Sequence, residues 1–525
     1  MSRLSGSTEP TEPTEPTEPT GPTGPAPLPA GFRAVVGIVA GLLAVGAGTL
    51  LGGVFDWLGV SGGQPSPFAA VGGAVIDLTT AWLKDLAISS FGTNDKRALL
   101  VGTAVLLAVV CALIGTLRHR QSRLAAFAAV GGVGLAAVLS RPGATPVDAV
   151  PTLAGTVVGL WFLSRSPVHG AGTRLLPRRT LLGAVVGAAA AAAGAALGGG
   201  ASSALRSREA VTTAPLQVDR MQVPASASVG VAGVVPYIVP NPDFYRIDTA
   251  LVVPRLDAEN WRLRVTGLVR REIEIDWRAL QSKPMKEALV TLACVSNEVG
   301  GDLVGNAVWT GWPVRELLAM AEPRPEADMV LQTSADGWTC GTPLAALTDD
   351  RNALLAVRMN GEPLPFEHGF PVRLVVPGLY GYVSATKWVT ELKVTTFASD
   401  EGYWTPRGWS PRGPVKTASR IDVPRAGQPV KAGHVAVAGV AWAQHRGIRQ
   451  VEVQVDDGPW LPARLADEPS IDAWRQWVLD WDAAPGSHTI RVRATDGAGR
   501  VQTDVTAPPA PDGATGWHTI TVRVD

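Results

Sequence analysis

Apolar residues are concentrated before residue 200 in five windows, at about 34–55, 98–117, 124–140, 147–164 and 180–199. Each is close to the roughly 20 apolar residues that a bilayer-spanning helix needs, so residues 31–200 are expected to form an all-α membrane domain of about five helices. The third and fourth windows are the shortest. The fifth, Gly183 to Gly200, is rich enough in Ala and Gly to pack closely on its neighbours. Between the first two windows, Val75-Ile-Asp-Leu78 and Ala81-Trp-Leu-Lys-Asp-Leu-Ala87 have amphipathic helical spacing. They predict an interfacial helix on the outer face, with a re-entrant segment as the alternative.

The pattern changes after residue 200. Residues 201–235 are small, polar and glycine-containing, the composition of a linker. From 236 to 412, strand-like runs such as Trp261-Arg-Leu-Arg-Val265 and Pro371-Val-Arg-Leu-Val-Val376 alternate with helix-like pieces such as Pro313-Val-Arg-Glu-Leu-Leu-Ala-Met320, predicting an α+β domain. From 413 to 525 the alternation is wholly β. Val451, Val453 and Val455 alternate with Glu452 and Gln454, and Ile520, Val522 and Val524 with Thr521 and Arg523. About 110 residues of this kind are the size of an immunoglobulin-like β-sandwich. Trp442, Trp474, Trp477 and Trp481 are candidates for its core.

Lys plus Arg and Asp plus Glu both number 46, so the chain has no net charge to draw it to nucleic acid. The arginines of the short loops are nevertheless uneven. Arg118, Arg120 and Arg123 follow the second window and Arg165, Arg174, Arg178 and Arg179 the fourth, whereas Arg141 is opposed by Asp148. The positive-inside rule then predicts a multi-pass protein of the cell membrane, with a cytoplasmic N-terminus and an extracytoplasmic C-terminal half. Residues 1–30, built on a Thr-Glu-Pro repeat, predict a disordered tail. Arg178-Arg-Thr-Leu-Leu-Gly183 resembles a twin-arginine export signal, against the plainer reading of two anchoring arginines. Spans nearly free of charge argue against a transporter.

Candidate chemistry centres on one thiol. Of the three cysteines, Cys111 lies in an apolar window, and no Cys-x-x-Cys pair exists for zinc. Cys294, in Thr291-Leu-Ala-Cys-Val-Ser-Asn-Glu-Val-Gly-Gly301, sits among polar and glycine residues and has the character of a soft metal ligand.

Thr291-Leu-Ala-Cys-Val-Ser-Asn297, Trp309-Thr-Gly-Trp-Pro-Val-Arg-Glu-Leu-Leu318, His368-Gly-Phe-Pro-Val-Arg-Leu-Val-Val-Pro377 and Lys387-Trp388, in this order and spacing, resemble the sulfite oxidase family of molybdenum enzymes. The resemblance runs from about Phe244 to the C-terminus and leaves out the membrane half. It implies a molybdenum atom held by the dithiolene of one molybdopterin without a nucleotide extension, by Cys294, and by oxo or hydroxo ligands. One protein thiolate suffices when the cofactor brings two more sulfurs. His368, Arg373 and Lys387 match cofactor-contacting positions of the family, and their charges suit a phosphate-bearing pterin. Tyr245 and Arg246 match a pterin-contacting segment of the periplasmic methionine-sulfoxide reductases, where an acidic residue stands in place of Arg246. Ser334 and Ser384 are further cofactor-binding candidates. For catalysis the resemblance implies Arg446, from the C-terminal domain, and Tyr403, with Arg407 and Trp409 as pocket-wall candidates. Cys340 has no matched role.

Such an enzyme acts on a small-molecule substrate by oxygen-atom transfer, either oxidising a sulfur oxyanion or reducing an S-oxide or N-oxide, and needs an electron partner. There is no Cys-x-x-Cys-His haem site, no cysteine cluster, and no histidine within a predicted span. A cytochrome, a quinone or a membrane redox subunit is therefore expected as external partner, with membrane lipid around the helices and a homodimer through the C-terminal domain as a further option. The competing reading is a cofactor-free, membrane-tethered binding scaffold.

Overall fold

A computed structural model of the chain describes residues 28–58, 60, 66–79, 95–141, 144–166, 178–199, 202–213 and 216–525. The first part contains α1 (Ala30–Leu58), α2 (Pro67–Leu78), α3 (Asp95–Thr116), α4 (Arg120–Leu139), α5 (Ala149–Arg165) and α6 (Arg178–Gly199). Five stretches are long and apolar enough to cross a membrane: Ala30–Leu58, Ala98–Thr116, Arg120–Leu139, Pro146–Arg165 and Thr180–Leu197. They match the five expected windows to within a few residues. The N-terminal repeat and Ala81–Ala87 lie outside the described residues, whereas Val75–Leu78 belongs to α2.

Helix α1 is the axis of this bundle, and α3, α5 and α6 pack on it. Glycines make the contacts, because helices without a side chain between them can approach to backbone distance. Gly37 faces Gly115, Gly48 faces Gly155, Gly46 faces Gly187 and Gly53 faces Gly194. Residue numbers rise together along α1 and α6 and oppositely along α1 and α3 or α5. Facing Gly131 and Gly134 with Thr156 and Thr152 makes α4 antiparallel to α5 as well. The five long helices thus alternate in direction, and α6 ends at the opposite end of the bundle from Arg33.

The stretch expected to be a linker is structured. Helix α7 (Ser202–Thr213) buries Ala204 and Val211, two turns apart on one face, against the following domain. Its Ser207 hydroxyl accepts from the Ala258 amide at 2.9 Å, and Arg208 donates to the carbonyls of Leu364 and Pro363 at 3.0 and 3.1 Å. Composition alone misses this, because two buried side chains are enough to dock one short helix.

The next domain holds β1 (Val218–Asp219), β2 (Arg262–Gly267), β3 (Ile273–Asp276), β4 (Met285–Ala293), β5 (Val304–Pro313), β6 (Met329–Ser334), β7 (Thr339–Pro343), β8 (Leu354–Met359), β9 (Glu362–Pro363), β10 (Arg373–Val375) and β11 (Val389–Thr395). One mixed sheet runs β1-β4-β5-β8-β10 with β9 on β8, the other β3-β2-β11-β6-β7. The second half of β4, Ala288 to Ala293, is apolar but for Thr291 and buried throughout, as in a strand covered on both faces.

After Pro414 the chain is β-rich and folds into two sheets that share one core of Ile421, Val437, Val451, Val453, Trp477, Ile490, Val492 and Val522. Of the four candidate core tryptophans, Trp477 is central and Trp481 packs at the edge. Trp442 and Trp474 instead join the core of the preceding domain. The Trp474 amide donates to the Thr291 hydroxyl at 2.7 Å, and the Gln444 side chain donates to the Thr291 carbonyl at 2.9 Å. The C-terminal region thereby clamps the strand that delivers Cys294.

Candidate active site

Cys294 follows directly on β4. Its amide donates to Leu303 O at 2.9 Å, and the Asn297 side chain accepts from the Leu303 amide at 2.8 Å, so the β4–β5 connection closes on itself. Gly300, with φ +79°, makes the turn within it. This tight loop holds the thiol at the end of the sheet, 8 % exposed and facing a cavity of about 2060 Å³.

The same cavity is lined by Tyr245, Arg246, Ser334, His368, Arg373, Lys387, Tyr403, Arg407 and Trp409, so the structure brings together most of the side chains singled out in the sequence. They come from distant elements. Gly369, at φ +109°, places His368 and Arg373 on opposite sides of one turn, and a Cβ there would press on Arg373 and Lys387 at 3.0 and 3.1 Å. Arg373 donates to the carbonyls of His368, Leu374 and Ala385 at 3.1 to 3.4 Å and lies over the Trp309 ring. Lys387 donates to Asp248 at 2.6 Å and to Glu367 O at 3.0 Å. Arg246 shares Asp248 at 3.0 Å.

Burial dominates the titration of these groups. It pulls Arg373 down to about 10 and Lys387 down to about 8, in the latter case against the attraction of Asp248. It raises the Tyr245 hydroxyl and the Cys294 thiol, the latter opposed by hydrogen bonds from Ser296 and the Val295 backbone. His368 falls to about 4, through burial and then the charges of Arg373 and Lys387, with Nε2 3.1 Å from Asn241 O. Since an unfolded histidine takes up its proton near 6.5, the unfolded chain binds more protons between pH 6.5 and 4, and stability falls as pH drops through that window. A loss of about 3 kcal/mol by pH 4 is expected for the cofactor-free protein. Urea midpoints of the wild type and His368→Asn should therefore diverge in slope below pH 6.5, the variant being the flatter; equal slopes would contradict a neutral buried imidazole.

Three groups in the wall were not anticipated. Asp248 holds Lys387 and Arg246. Asp336 lies two residues from the expected Ser334, at the β6–β7 turn, and accepts from the Trp338 amide at 3.2 Å. Burial, with Asp248 adding to it, holds its carboxyl above the ordinary carboxylate range against donation from Ser334 and Trp338. Trp404 packs edge-on to Trp409. An Asp-Gly pair between two β runs was the available signal for Asp336, because such a turn projects its side chain from the end of a sheet.

Two expected residues do not line the cavity. Ser384 is fully buried, and its hydroxyl donates to Tyr380 O and Leu379 O at 2.9 and 3.3 Å, so it shapes the loop before Lys387. Arg446 donates to Asp496 at 2.9 Å and to Val415 O at 2.9 Å and is not among the residues that line the cavity. The 1 % exposed Asp496 carboxylate captures it because a buried charge needs a partner more than a cavity needs a fifth cation. Arg446→Ala is expected to cost about 3 kcal/mol, at the low end for breaking a buried pair because Arg500 still reaches Asp496. The substrate KM should stay as in the wild type; a raised KM with an unchanged unfolding midpoint would return Arg446 to the substrate.

The donor set fits a molybdenum–molybdopterin. Among the described residues no three His, Cys, Asp or Glu side chains converge on one point, so a metal at Cys294 would draw its other ligands from the cofactor. A soft cation would take the thiol as thiolate despite its raised pKa, because metal binding releases the proton. Arg373 and Lys387 would meet the cofactor's anionic groups.

A model of the oxidoreductase molybdopterin binding domain matches residues 250–404, which include Cys294, Asp336, His368, Arg373 and Lys387. The chain is 32% identical to the mitochondrial sulfite oxidase of Homo sapiens over 321 residues, 52% of this chain and 58% of that protein. It is 34% identical to the oxidoreductase YuiH of Bacillus subtilis over 157 residues, 30% of this chain and 76% of that protein. The sulfane dehydrogenase SoxCD of Paracoccus pantotrophus aligns with a TM-score of 0.49 at 24% identity, covering 58% of this chain and 86% of that one. The chain thus spans under two thirds of the human relative, but what it spans there and in YuiH is enough: it belongs to the sulfite oxidase family of molybdopterin-dependent oxidoreductases.

Proposed function

We propose that this protein is a membrane-anchored molybdenum oxidoreductase whose catalytic domain lies on the extracytoplasmic face and transfers an oxygen atom to a sulfur oxyanion or from an S-oxide or N-oxide. The observation that carries the reading is one buried thiol opening on a cavity walled by Arg246, Arg373, Lys387 and His368. The bound molybdopterin would supply the metal and two-electron oxygen-atom transfer. The chain itself would bind and orient. Cys294 would ligate the metal, while Tyr245, Arg246, Ser334, Asp336, His368, Arg373 and Lys387 would hold the pterin. Arg407, whose guanidinium lies 3.8 Å from the centre of the Tyr403 ring, would present a cation and a phenol to the substrate together. That pairing favours an anionic substrate, and so sulfite-type oxidation over sulfoxide reduction. The C-terminal sheets would form an immunoglobulin-like module able to pair two copies.

The same cavity continues between α2, α3 and α4, past Val71, Val75, Leu106 and Leu107. This apolar continuation favours a quinone or a membrane redox subunit over a soluble cytochrome as the electron partner. To test the reading, protein made in a cofactor-producing host would be oxidised and mixed with sulfite, and reduced and mixed with methionine sulfoxide. Reduction by sulfite is expected. Reoxidation by the sulfoxide alone would reverse the direction, and protein lacking molybdenum would sink the enzyme reading.

A further inference from the structure

The end of the helical bundle opposite the catalytic domain buries two arginines. Arg33, in the first turn of α1, is 6 % exposed, and Arg123, in the first turn of α4, is 1 % exposed. Nε and Nη1 of Arg33 and Nε and Nη2 of Arg123 have no hydrogen-bond partner among the described residues. The two arginines are near enough for their charges to be felt. The Arg33 carbonyl packs on Gly115 at the end of α3, one turn before α4 begins. Both sit directly below the apolar cluster of Val36, Ile114, Phe127 and Leu163.

Among the described residues of the bundle no acid is placed to neutralise them. Residues 19–55, 96–147 and 149–200 contain no Asp or Glu, Asp56, Asp95 and Asp148 stand at helix ends away from Arg33, and Asp77 lies in α2, whose Gly72 and Gly73 meet Leu251 and Arg141 at that same far end. The carbonyls ending α3 and α5 favour a cation there, but a helix terminus offsets only a small part of the cost of burying an unpaired guanidinium. Two such groups together point to a counter-anion from outside the bundle. A planar guanidinium donates in a fork that matches phosphate oxygens, and two forks can share one phosphate.

We infer that Arg33 and Arg123 bind the phosphate of an anionic phospholipid, which would insert its headgroup between α1, α3 and α4 from the leaflet on that side. The apolar cluster above the arginines provides for acyl chains what a freely diffusing phosphate would not need. This rests on the five helices being membrane spans and is independent of the chemistry at Cys294.

Full-length protein would be purified in detergent and incorporated into nanodiscs of phosphatidylcholine with or without phosphatidylglycerol, and the lipid retained would be read by native mass spectrometry. Wild type is expected to retain phosphatidylglycerol over phosphatidylcholine by on the order of tenfold or more, as two cations at an anionic surface would give. Arg33→Gln/Arg123→Gln should lose that preference, and Arg123→Lys, which keeps charge but not the fork, should lie between. If the double variant does not fold, the wild type and Arg123→Lys still decide. Equal retention of the two lipids overturns the proposal, as does equal thermal protection by inorganic phosphate. Loss of stability on changing Glu9, Glu12, Glu15 and Glu18 to Gln, without lipid preference, would assign the counter-charge to the chain's own tail and also overturn it. Molybdenum content should be the same in all variants.

Discussion

Cys294→Ser is expected to give a folded protein that keeps no molybdenum and has no oxygen-atom-transfer activity. Serine is nearly the same size and can accept the same hydrogen bonds from Ser296 and the Val295 backbone, so the unfolding free energy should stay within about 0.5 kcal/mol of the wild type. The metal loss should exceed the about 10–100-fold that removal of an outer-shell partner costs, because Cys294 is the one protein ligand proposed. A hydroxyl is a harder and far less acidic donor than a thiol, and the cofactor's own sulfurs would not anchor the metal to the chain. Wild type should carry about one molybdenum per chain under the same conditions. Metal retained by the serine variant at the wild-type level would remove Cys294 from the coordination sphere.

Arg373→Met separates stability from function in the opposite way. The guanidinium is 5 % exposed and forms no ion pair with a carboxylate among the described residues. Its three carbonyl partners stand at 3.1 to 3.4 Å, beyond the ~2.7–2.9 Å of strong charge-assisted bonds. They offset only part of a burial cost of several kcal/mol, which an apolar side chain of similar length avoids. The cofactor-free variant is therefore expected to unfold at or above the wild-type urea concentration. Cofactor retention should fall about 10–100-fold, since a cation set against an anionic pterin is lost. A site that holds a charge at the expense of stability is the pattern expected of a binding residue. Arg373→Met unfolding earlier while binding cofactor normally would make Arg373 a structural residue instead.

Much of this molecule was legible before its coordinates. Five apolar windows became five helices because length and hydropathy are properties of contiguous sequence. The switch to alternating Val and Ile after Pro414 became facing sheets for the same local reason. Cys294, His368, Arg373 and Lys387 were found through motifs whose order survives in the chain, and the cavity unites all four. Asp248 escaped because nothing nearby in sequence marks it, and Asp336 because its Asp-Gly turn marks a position but not what it faces. They matter through Arg246, Lys387 and each other, from segments 88 residues apart. Arg446 shows the converse: the resemblance assigns it to the substrate, but its guanidinium pairs with a buried carboxylate 50 residues further on, which nothing beside it in sequence announces. The linker that became α7 shows the same limit, since its two buried residues needed a partner surface to bury against. The sequence by itself therefore determined the five long apolar helices, the β-rich C-terminal region and the motifs that carry Cys294, His368, Arg373 and Lys387. Only the tertiary structure decided which charges meet, because the pairing of buried charges depends on distances that no local pattern encodes.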